Sequence, residues 1–226
     1  MSRFDLKKKA DRILMTNFKY FFLLFLPIYI LELIVNGTSK NGISYNIQEN
    51  ESLKLVYNWG MLGSAIIFSI VSALLMTGIM FVCIDHIRNK KGYKKPFSNS
   101  VTIINNSKYF WGTIFIAIIS FVLKLLWTLL LIIPGIIKKI SYSQAIYVYK
   151  DAVDKGEKIS YMDAITKSRK IMNGHKWEYF IMQLSFIGWF LLVGITFGLA
   201  GLYVIPYYNL TMANFYDSLL KLEENK

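Results

Sequence analysis

Residues 59–84 read WGMLGSAIIFSIVSALLMTGIMFVCI and contain no charged side chain. As an α-helix this run is long enough to cross the hydrocarbon layer of a membrane, which is about 30 Å thick. A second, predominantly apolar run covers residues 17–36, and a polar stretch over 37–56 separates the two. The sequence therefore predicts two adjacent membrane-spanning helices joined by a loop.

The composition of the whole chain is typical of a membrane protein. Of the 226 residues, 54% are hydrophobic and only 18% are charged, and the mean hydropathy is +0.40. Soluble domains carry about 25% charged residues, and disordered chains are more polar still. Yet 26 Lys and Arg face 14 Asp and Glu, for a formal net charge of +12. Because the basic residues alternate with apolar runs instead of forming one basic surface, we do not expect a nucleic-acid partner.

The distribution of lysine and arginine predicts the number of membrane crossings. Residues 1–19, 85–108 and 150–176 hold six, six and seven of the 26 basic residues. Such clusters are typical of cytoplasmic loops, so an even number of crossings must separate each cluster from the next. The apolar blocks 109–137 and 177–215 must then each cross twice, and the second is predicted to turn at residues 198–201.

The predicted fold is an all-α membrane protein with six transmembrane helices in one domain, both termini lying in the cytoplasm. The predicted spans are 17–36, 59–84, 109–129, 133–149, 177–197 and 201–219. Residues 160–173 form a further, amphipathic helix on the cytoplasmic face, where Ser160 and Asp163 are spaced as a capping box. This helix is interpreted as a packed connector or as an element that binds a regulatory partner.

Polar side chains at bilayer depth are costly and are therefore candidates for function. Glu32 and Lys124 both lie about 15 residues into a predicted span, so an ion pair between them is allowed. They are interpreted as a stabilising pair, as two side chains that extend to the membrane surface, or as part of a polar cavity open to the outside. The hypothetical cavity comprises Glu32, Lys124, Lys138, Lys139, Asn209, Thr211 and Asn214.

The loop after the second span is a candidate surface for anionic lipid headgroups. A basic residue near such a surface contributes about 1 kcal/mol of attraction. The alternative is that these charges only orient the protein in the membrane. The residues concerned are Arg88, Lys90, Lys91, Lys94 and Lys95.

The sequence offers little support for catalysis. It has two histidines, His86 and His175, and a single cysteine, Cys83. We find no zinc-binding histidine motif, no nucleophile elbow and no glycine-rich phosphate loop. The chain is therefore predicted to be no enzyme and to use neither a metal nor a cofactor.

Several short motifs resemble one family of membrane proteins. They occur in the same order over roughly residues 105–220. They are IPGIIK at 133–138, SYSQA at 141–145, GHKW at 174–177, LSFIGW at 184–189 and PY at 206–207. In these motifs the chain is similar to the DUF975 family of integral membrane proteins from Gram-positive bacteria. The resemblance implies six helices with a cytoplasmic amphipathic helix, and it implies no reaction and no catalytic residues.

Two functional hypotheses follow. In the first, the chain is a non-enzymatic, multi-pass protein of a bacterial plasma membrane. It binds membrane lipid, a peptide or another membrane protein, in envelope maintenance or in protection against membrane-active peptides. In the second, it is a small transporter or channel that uses the polar cavity in the outer half of the membrane.

Overall fold

The computed structural model describes residues 2–41, 43–47, 53–90 and 92–224. Within these ranges the chain is helical except for one antiparallel hairpin, β1 (Ile43–Ile47) with β2 (Leu53–Tyr57), in which Ile43 is opposite Tyr57. The helices are α1 (Arg3–Thr16), α2 (Phe18–Asn41), α3 (Trp59–Ile87), α4 (Pro96–Ser100), α5 (Ser107–Leu130), α6 (Ile132–Ser141), α7 (Ala145–Asp154), α8 (Tyr161–Ile171), α9 (Lys176–Leu184), α10 (Ile187–Ile195) and α11 (Gly201–Glu224).

Four helical segments in the described part of the chain are long and apolar enough to cross a membrane. They are Phe18–Gly37, Trp59–Ile87, Ser107–Leu129 and Lys176–Ile195. They correspond to four of the six predicted spans. Only 17% to 39% of the most apolar window in each segment is buried inside the protein, so most of this apolar surface faces outward. The chain is therefore a helical membrane protein with four candidate spans.

The predicted helix 133–149 is divided in the structure. Helix α6 ends at Ser141 and α7 begins at Ala145. The turn between them is stabilised by α8, because Ser168 Oγ donates to the Ser141 carbonyl at 2.8 Å and accepts from the Gln144 amide at 3.2 Å. These contacts satisfy backbone groups that a helix end leaves unpaired. The prediction of one continuous helix was wrong because a side chain more than twenty residues away stabilises the break.

The last apolar block also contains two turns. A first turn at residues 185–186 separates α9 from α10, and a second lies between Ile195 and Gly201. The second turn is where the sequence predicts a break, and Gly198 adopts a φ of +94° there, a conformation that glycine tolerates best. After this turn, α11 packs back against α10, and the rings of Trp189 and Tyr203 lie 5.7 Å apart.

The residues of the predicted amphipathic helix 160–173 form α8. Ser160 caps the helix by accepting from the Asp163 amide at 3.0 Å, as the capping box predicts. The apolar face is buried against the bundle, and the ring of Tyr161 stacks on Phe115 at 5.0 Å. The basic side chains Lys167, Arg169 and Lys170 lie on the exposed face.

The N-terminal helix α1 is a packed element that the sequence interpretation treated only as orienting charge. Leu6, Ala10 and Leu14 repeat every four residues and are all buried. The Asn214 side chain on α11 donates to the Leu6 carbonyl at 3.0 Å, and the Tyr203 hydroxyl donates to Asp11 at 2.6 Å. Helix α1 therefore lies along α11, with its basic residues between the packed positions.

Burial divides the molecule into a packed half and an exposed apolar half. In α3, residues 75–87 hold nearly all of the buried positions, whereas Trp59 is 77% exposed. No residue of α10 is buried. At the α10–α11 turn, Phe197 is 99% exposed. Such a large exposed apolar surface is expected where the surrounding medium is lipid.

Candidate functional site

A network of charged side chains joins three helices inside the packed half. Arg88 at the end of α3 donates two hydrogen bonds to the Asp151 carboxylate on α7, at 2.6 and 3.0 Å. Its Nε donates to Asp217 on α11 at 2.9 Å. The Tyr216 hydroxyl, also on α11, donates to Asp151 at 2.9 Å. Planar, two-pronged pairing of this kind holds both partners in a defined orientation.

Lys150 is the centre of a second group of ion pairs, formed by the residues that neighbour Asp151 and Arg88 on α7 and α3, and the two groups together are here called the charge network. Its ammonium group lies 2.7 Å from Asp85 on α3 and 2.6 Å from Asp154 on α7. The side chain of Lys150 is only 3% exposed, so its charge is compensated by these two carboxylates and not by water. Tyr109 at the start of α5 donates a further hydrogen bond to Asp154. The network thus extends from α3 through α7 to α5.

The pKa shifts agree with this pairing. Burial would raise the pKa of Asp154, but the hydrogen bonds from Lys150 and Tyr109 outweigh it and hold that pKa below its ordinary value. Burial likewise opposes the charge of Arg88, yet the contacts with Asp151 and Asp217 raise its pKa above the ordinary value. Both groups are therefore charged near neutral pH, and we interpret the network as a structural clamp.

The sequence interpretation missed this network. Asp85, Lys150, Asp151, Asp154 and Asp217 were not proposed as site residues. One local signal existed, because Lys150 and Asp154 are spaced for an ion pair on one helix face. The longer-range partners come from helices more than sixty residues apart, and no sequence pattern connects them.

The hypothetical polar cavity is not assembled. Glu32 is exposed on α2, and the ion pairs of the described residues do not join it to Lys124. Lys124, Lys138 and Lys139 instead share the α5–α6 hairpin, where the Lys138 ammonium lies 4.2 Å from the centre of the Trp127 ring. The charged members of the predicted set are thus distributed over two separate places.

The predicted polar residues of α11 are buried and are hydrogen-bonded within the protein. Asn209 donates to the Ile205 carbonyl at 2.9 Å, and Thr211 donates to the Tyr207 carbonyl at 2.8 Å. Asn214 donates to Leu6 on α1, as described above. Thr211 and Asn214 therefore stabilise helix packing, and Asn209 is the member of this group that lines a cleft.

The predicted lipid-contact set is also divided. Arg88 is committed to Asp151 and Asp217 and is no longer a candidate for headgroup binding. The reason is that Arg88 directly follows the last residue of α3, Ile87. Its side chain therefore lies against the bundle and not in the loop. Lys90, Lys94 and Lys95 are exposed, and Lys91 lies outside the described residues.

An aromatic and methionine-rich cleft of about 370 Å³ lies between α3, α7, α9, α10 and α11. Its lining residues are Met76, Met80, Ser143, Gln144, Tyr147, Tyr179, Phe190, Ile205, Tyr208, Asn209 and Met212. None of them is charged. The Gln144 Oε1 atom and the Tyr147 hydroxyl are buried and have no hydrogen-bond partner in the protein. Pockets of this size with a few polar atoms commonly bind small molecules.

The described residues do not supply a metal site, because no three His, Cys, Asp or Glu side chains in them are placed to hold an ion. The carboxylates of the charge network are instead neutralised by Arg88 and Lys150.

Comparison with known proteins identifies the region that contains most of these features. Residues 118–223 match the sequence model of a family described as "Protein of unknown function (DUF975)". Over these residues the chain is similar to the DUF975 family. The resemblance inferred from the short motifs is thereby confirmed. No curated protein and no solved structure matches the chain.

The DUF975 region contains the second half of α5, the helices α6 to α10 and all of α11 except its last residue, and therefore most of the cleft. Met76 and Met80 of the cleft, and Asp85 and Arg88 of the charge network, lie on α3 before this region. The family region, α3 and Tyr109 at the start of α5 thus build the two features together.

Proposed function

We propose that the chain is a multi-pass protein of a bacterial plasma membrane that binds a membrane amphiphile and catalyses no reaction. The observation that carries this proposal is the uncharged cleft. Methionine and aromatic side chains form most of its wall, and no His, Cys, Asp, Glu or Lys lines it. A wall of this composition suits an apolar ligand, because methionine adapts its shape and aromatic rings offer large apolar surfaces.

The same proposal includes six crossings with both termini in the cytoplasm. Support comes from the way in which the helices fold back. Lys138 on α6 contacts Trp127 near the end of α5. The hydroxyl of Tyr149 on α7 donates to the carbonyl of Lys108 at the start of α5. Helices α6 and α7 together therefore retrace α5. The clusters of basic residues then all lie at the end of the bundle that carries the charge network.

Cysteine labelling tests this topology. In a Cys83→Ala background we expect Phe197→Cys to react with a membrane-impermeant maleimide in intact cells, because Phe197 is exposed and the proposed topology assigns its turn to the outer side. Lys155 is also exposed in the structure. Lys155→Cys therefore serves as the matched position on the proposed inner side. It is expected to react only after the cells are permeabilised. External labelling of residue 155 contradicts the six-crossing arrangement.

Binding to the cleft is tested by filling it. We expect the protein in lipid nanodiscs to bind a fluorescent fatty-acyl probe saturably. Met80→Trp places a bulky ring in the cleft and is expected to weaken that binding by about tenfold. Met61→Trp is the matched control, since Met61 is on the same helix, is 39% exposed and lies outside the cleft. Equal binding by the two variants, or binding that never saturates, contradicts the proposal.

The sequence also suggested a lipid-contact surface and a transporter, and the structure supports these two hypotheses to different extents. The exposed Lys90, Lys94 and Lys95 suit contact with anionic headgroups, which complements binding of an amphiphile from the same bilayer. The transporter alternative requires one cavity lined by Glu32, the three lysines and the polar strip of α11. The cleft at Asn209 includes neither Glu32 nor a lysine, so this alternative has no specific observation in its favour.

A further inference from the structure

Two polar atoms in the cleft lack the partner that buried polar atoms normally have. Gln144 is 1% exposed and Tyr147 is 2% exposed. The amide nitrogen of Gln144 donates to Ser143 Oγ at 2.8 Å, which leaves its Oε1 atom unpaired. The hydroxyl of Tyr147 is unpaired as well. Because buried polar atoms are costly when unpaired, these two atoms point to a ligand that pairs with them.

The two residues that carry these atoms line the same cleft. Gln144 and Tyr147 are three residues apart at the start of α7, a spacing that places side chains side by side on one helix face. The Tyr147 ring stacks on Tyr216 at 5.0 Å, and Tyr216 is itself hydrogen-bonded to Asp151. The charge network therefore positions one wall of the cleft.

The chemistry of the two atoms defines the ligand group. An amide oxygen only accepts a hydrogen bond, whereas a tyrosine hydroxyl donates one. A single alcohol hydroxyl satisfies both, because it donates to the Gln144 oxygen and accepts from the Tyr147 hydroxyl. A carboxylate has no hydrogen to donate to Gln144. It would also bury a negative charge in a cleft that offers no cation. An ammonium group would bury a positive charge in a cleft that offers no anion.

The remaining wall defines the rest of the ligand. Met76, Met80 and Met212 contribute flexible apolar side chains. Phe190 lines the cleft and is 45% exposed on the surface of the protein. The acyl chain of a ligand whose head is bound at Gln144 and Tyr147 therefore has a route past Phe190 to the surrounding lipid. The cleft therefore suits a molecule with a long apolar tail and an uncharged polar head.

We propose that the cleft binds an uncharged amphiphile through a hydroxyl group, as in a long-chain alcohol or an acylglycerol, with Gln144 as acceptor and Tyr147 as donor. This inference rests on the proposed function and adds the class of ligand. Fatty acids and cationic lipids are expected to bind more weakly than an alcohol of the same chain length.

The test compares two probes that differ only in the hydroxyl. 1-Dodecanol and methyl dodecyl ether are used to displace the fluorescent acyl probe from the wild-type protein in nanodiscs. We expect the alcohol to bind about tenfold more tightly than the ether, because the ether cannot donate to Gln144. Gln144→Leu is expected to reduce this preference to about twofold or less, because it removes the acceptor that only the alcohol uses. Tyr147→Phe is expected to weaken binding of the alcohol and of the ether alike, because the oxygen atoms of both probes accept from the Tyr147 hydroxyl.

Folding of the variants is checked separately. The Tyr147 hydroxyl makes no hydrogen bond in the protein, so Tyr147→Phe is expected to keep the melting temperature of the wild type. Tyr142→Phe is the matched control, since Tyr142 is a buried tyrosine just before α7 that does not line the cleft. It is expected to keep the full affinity of the wild type for the alcohol and for the ether.

The outcomes separate the two proposals. Saturable binding that Met80→Trp removes, with equal affinity for alcohol and ether, overturns the hydroxyl inference and leaves amphiphile binding intact. A preference that survives in Gln144→Leu, or unchanged affinity of both probes in Tyr147→Phe, also overturns it. Absence of saturable binding by every probe overturns the proposed function itself.

Discussion

Replacement of Arg88 by methionine is expected to destabilise the protein by about 3–5 kcal/mol, the effect of removing one partner from a buried ion pair. The side chains of Arg88 and Asp151 are each 14% exposed, and that of Asp217 is 9% exposed. Without Arg88, Asp151 keeps only the Tyr216 hydroxyl as a donor from the network. The free energy of unfolding is measured by equilibrium titration with sodium dodecyl sulfate in mixed micelles.

The matched control is Arg169→Met. Arg169 is exposed on α8, so its replacement is expected to change the free energy of unfolding by less than about 0.5 kcal/mol. The double variant Arg88→Met with Asp151→Asn is expected to lose less than the sum of the two single variants, because the second change removes the stranded carboxylate. Equal effects of Arg88→Met and Arg169→Met, or strict additivity in the double variant, contradict the assignment of the network as a clamp.

Replacement of Gly112 by alanine is expected to destabilise the protein by about 1–3 kcal/mol through overpacking. A Cβ atom at Gly112 would overlap the ring of Tyr149. Tyr149 is held in place by the hydrogen bond of its hydroxyl to the Lys108 carbonyl, at 3.3 Å. Helices α5 and α7 must therefore move apart. The unfolding titration used for Arg88 measures this change as well.

The control for this substitution predicts the opposite sign. Gly63 lies in α3, and nothing is within 4 Å of the position that its Cβ atom would take. Gly63→Ala is expected to stabilise the protein by about 0.5–1 kcal/mol, because alanine favours the helix more than glycine does. Tyr149→Ala in the Gly112→Ala background is expected to recover part of the loss. Stabilisation by Gly112→Ala itself shows that α5 and α7 do not pack as described.

Amino-acid pattern alone predicted the elements that depend on local composition. The four segments that are apolar enough to span a membrane agree with predicted spans to within a few residues at most ends. The capping box at Ser160 and the break near Gly198 were found in the same way. These features depend on neighbours three or four residues apart or on one run of apolar residues, so the sequence contains their cause directly.

The candidate site was predicted less well. Glu32 and Lys124 were proposed as members of a polar cavity because charges inside apolar runs are rare. No ion pair of the described residues joins them. Arg88 was counted among loop charges, although its guanidinium turns into the bundle. A hydropathy pattern shows where a charged residue stands in the sequence. It does not show which carboxylate pairs with that residue in the folded protein. For the same reason Lys150 was read as an orienting charge.

The sequence by itself determined that this is a helical membrane protein with similarity to the DUF975 family over residues 118–223, because apolar run length and short motifs are local properties. Only the tertiary structure decided which charges are buried, where α6 ends, and which side chains meet in the cleft. Those outcomes depend on contacts between residues far apart in the chain. Gln144 and Tyr147 illustrate the difference, since their spacing is visible in the sequence but their unpaired atoms appear only when α3 and α11 enclose them.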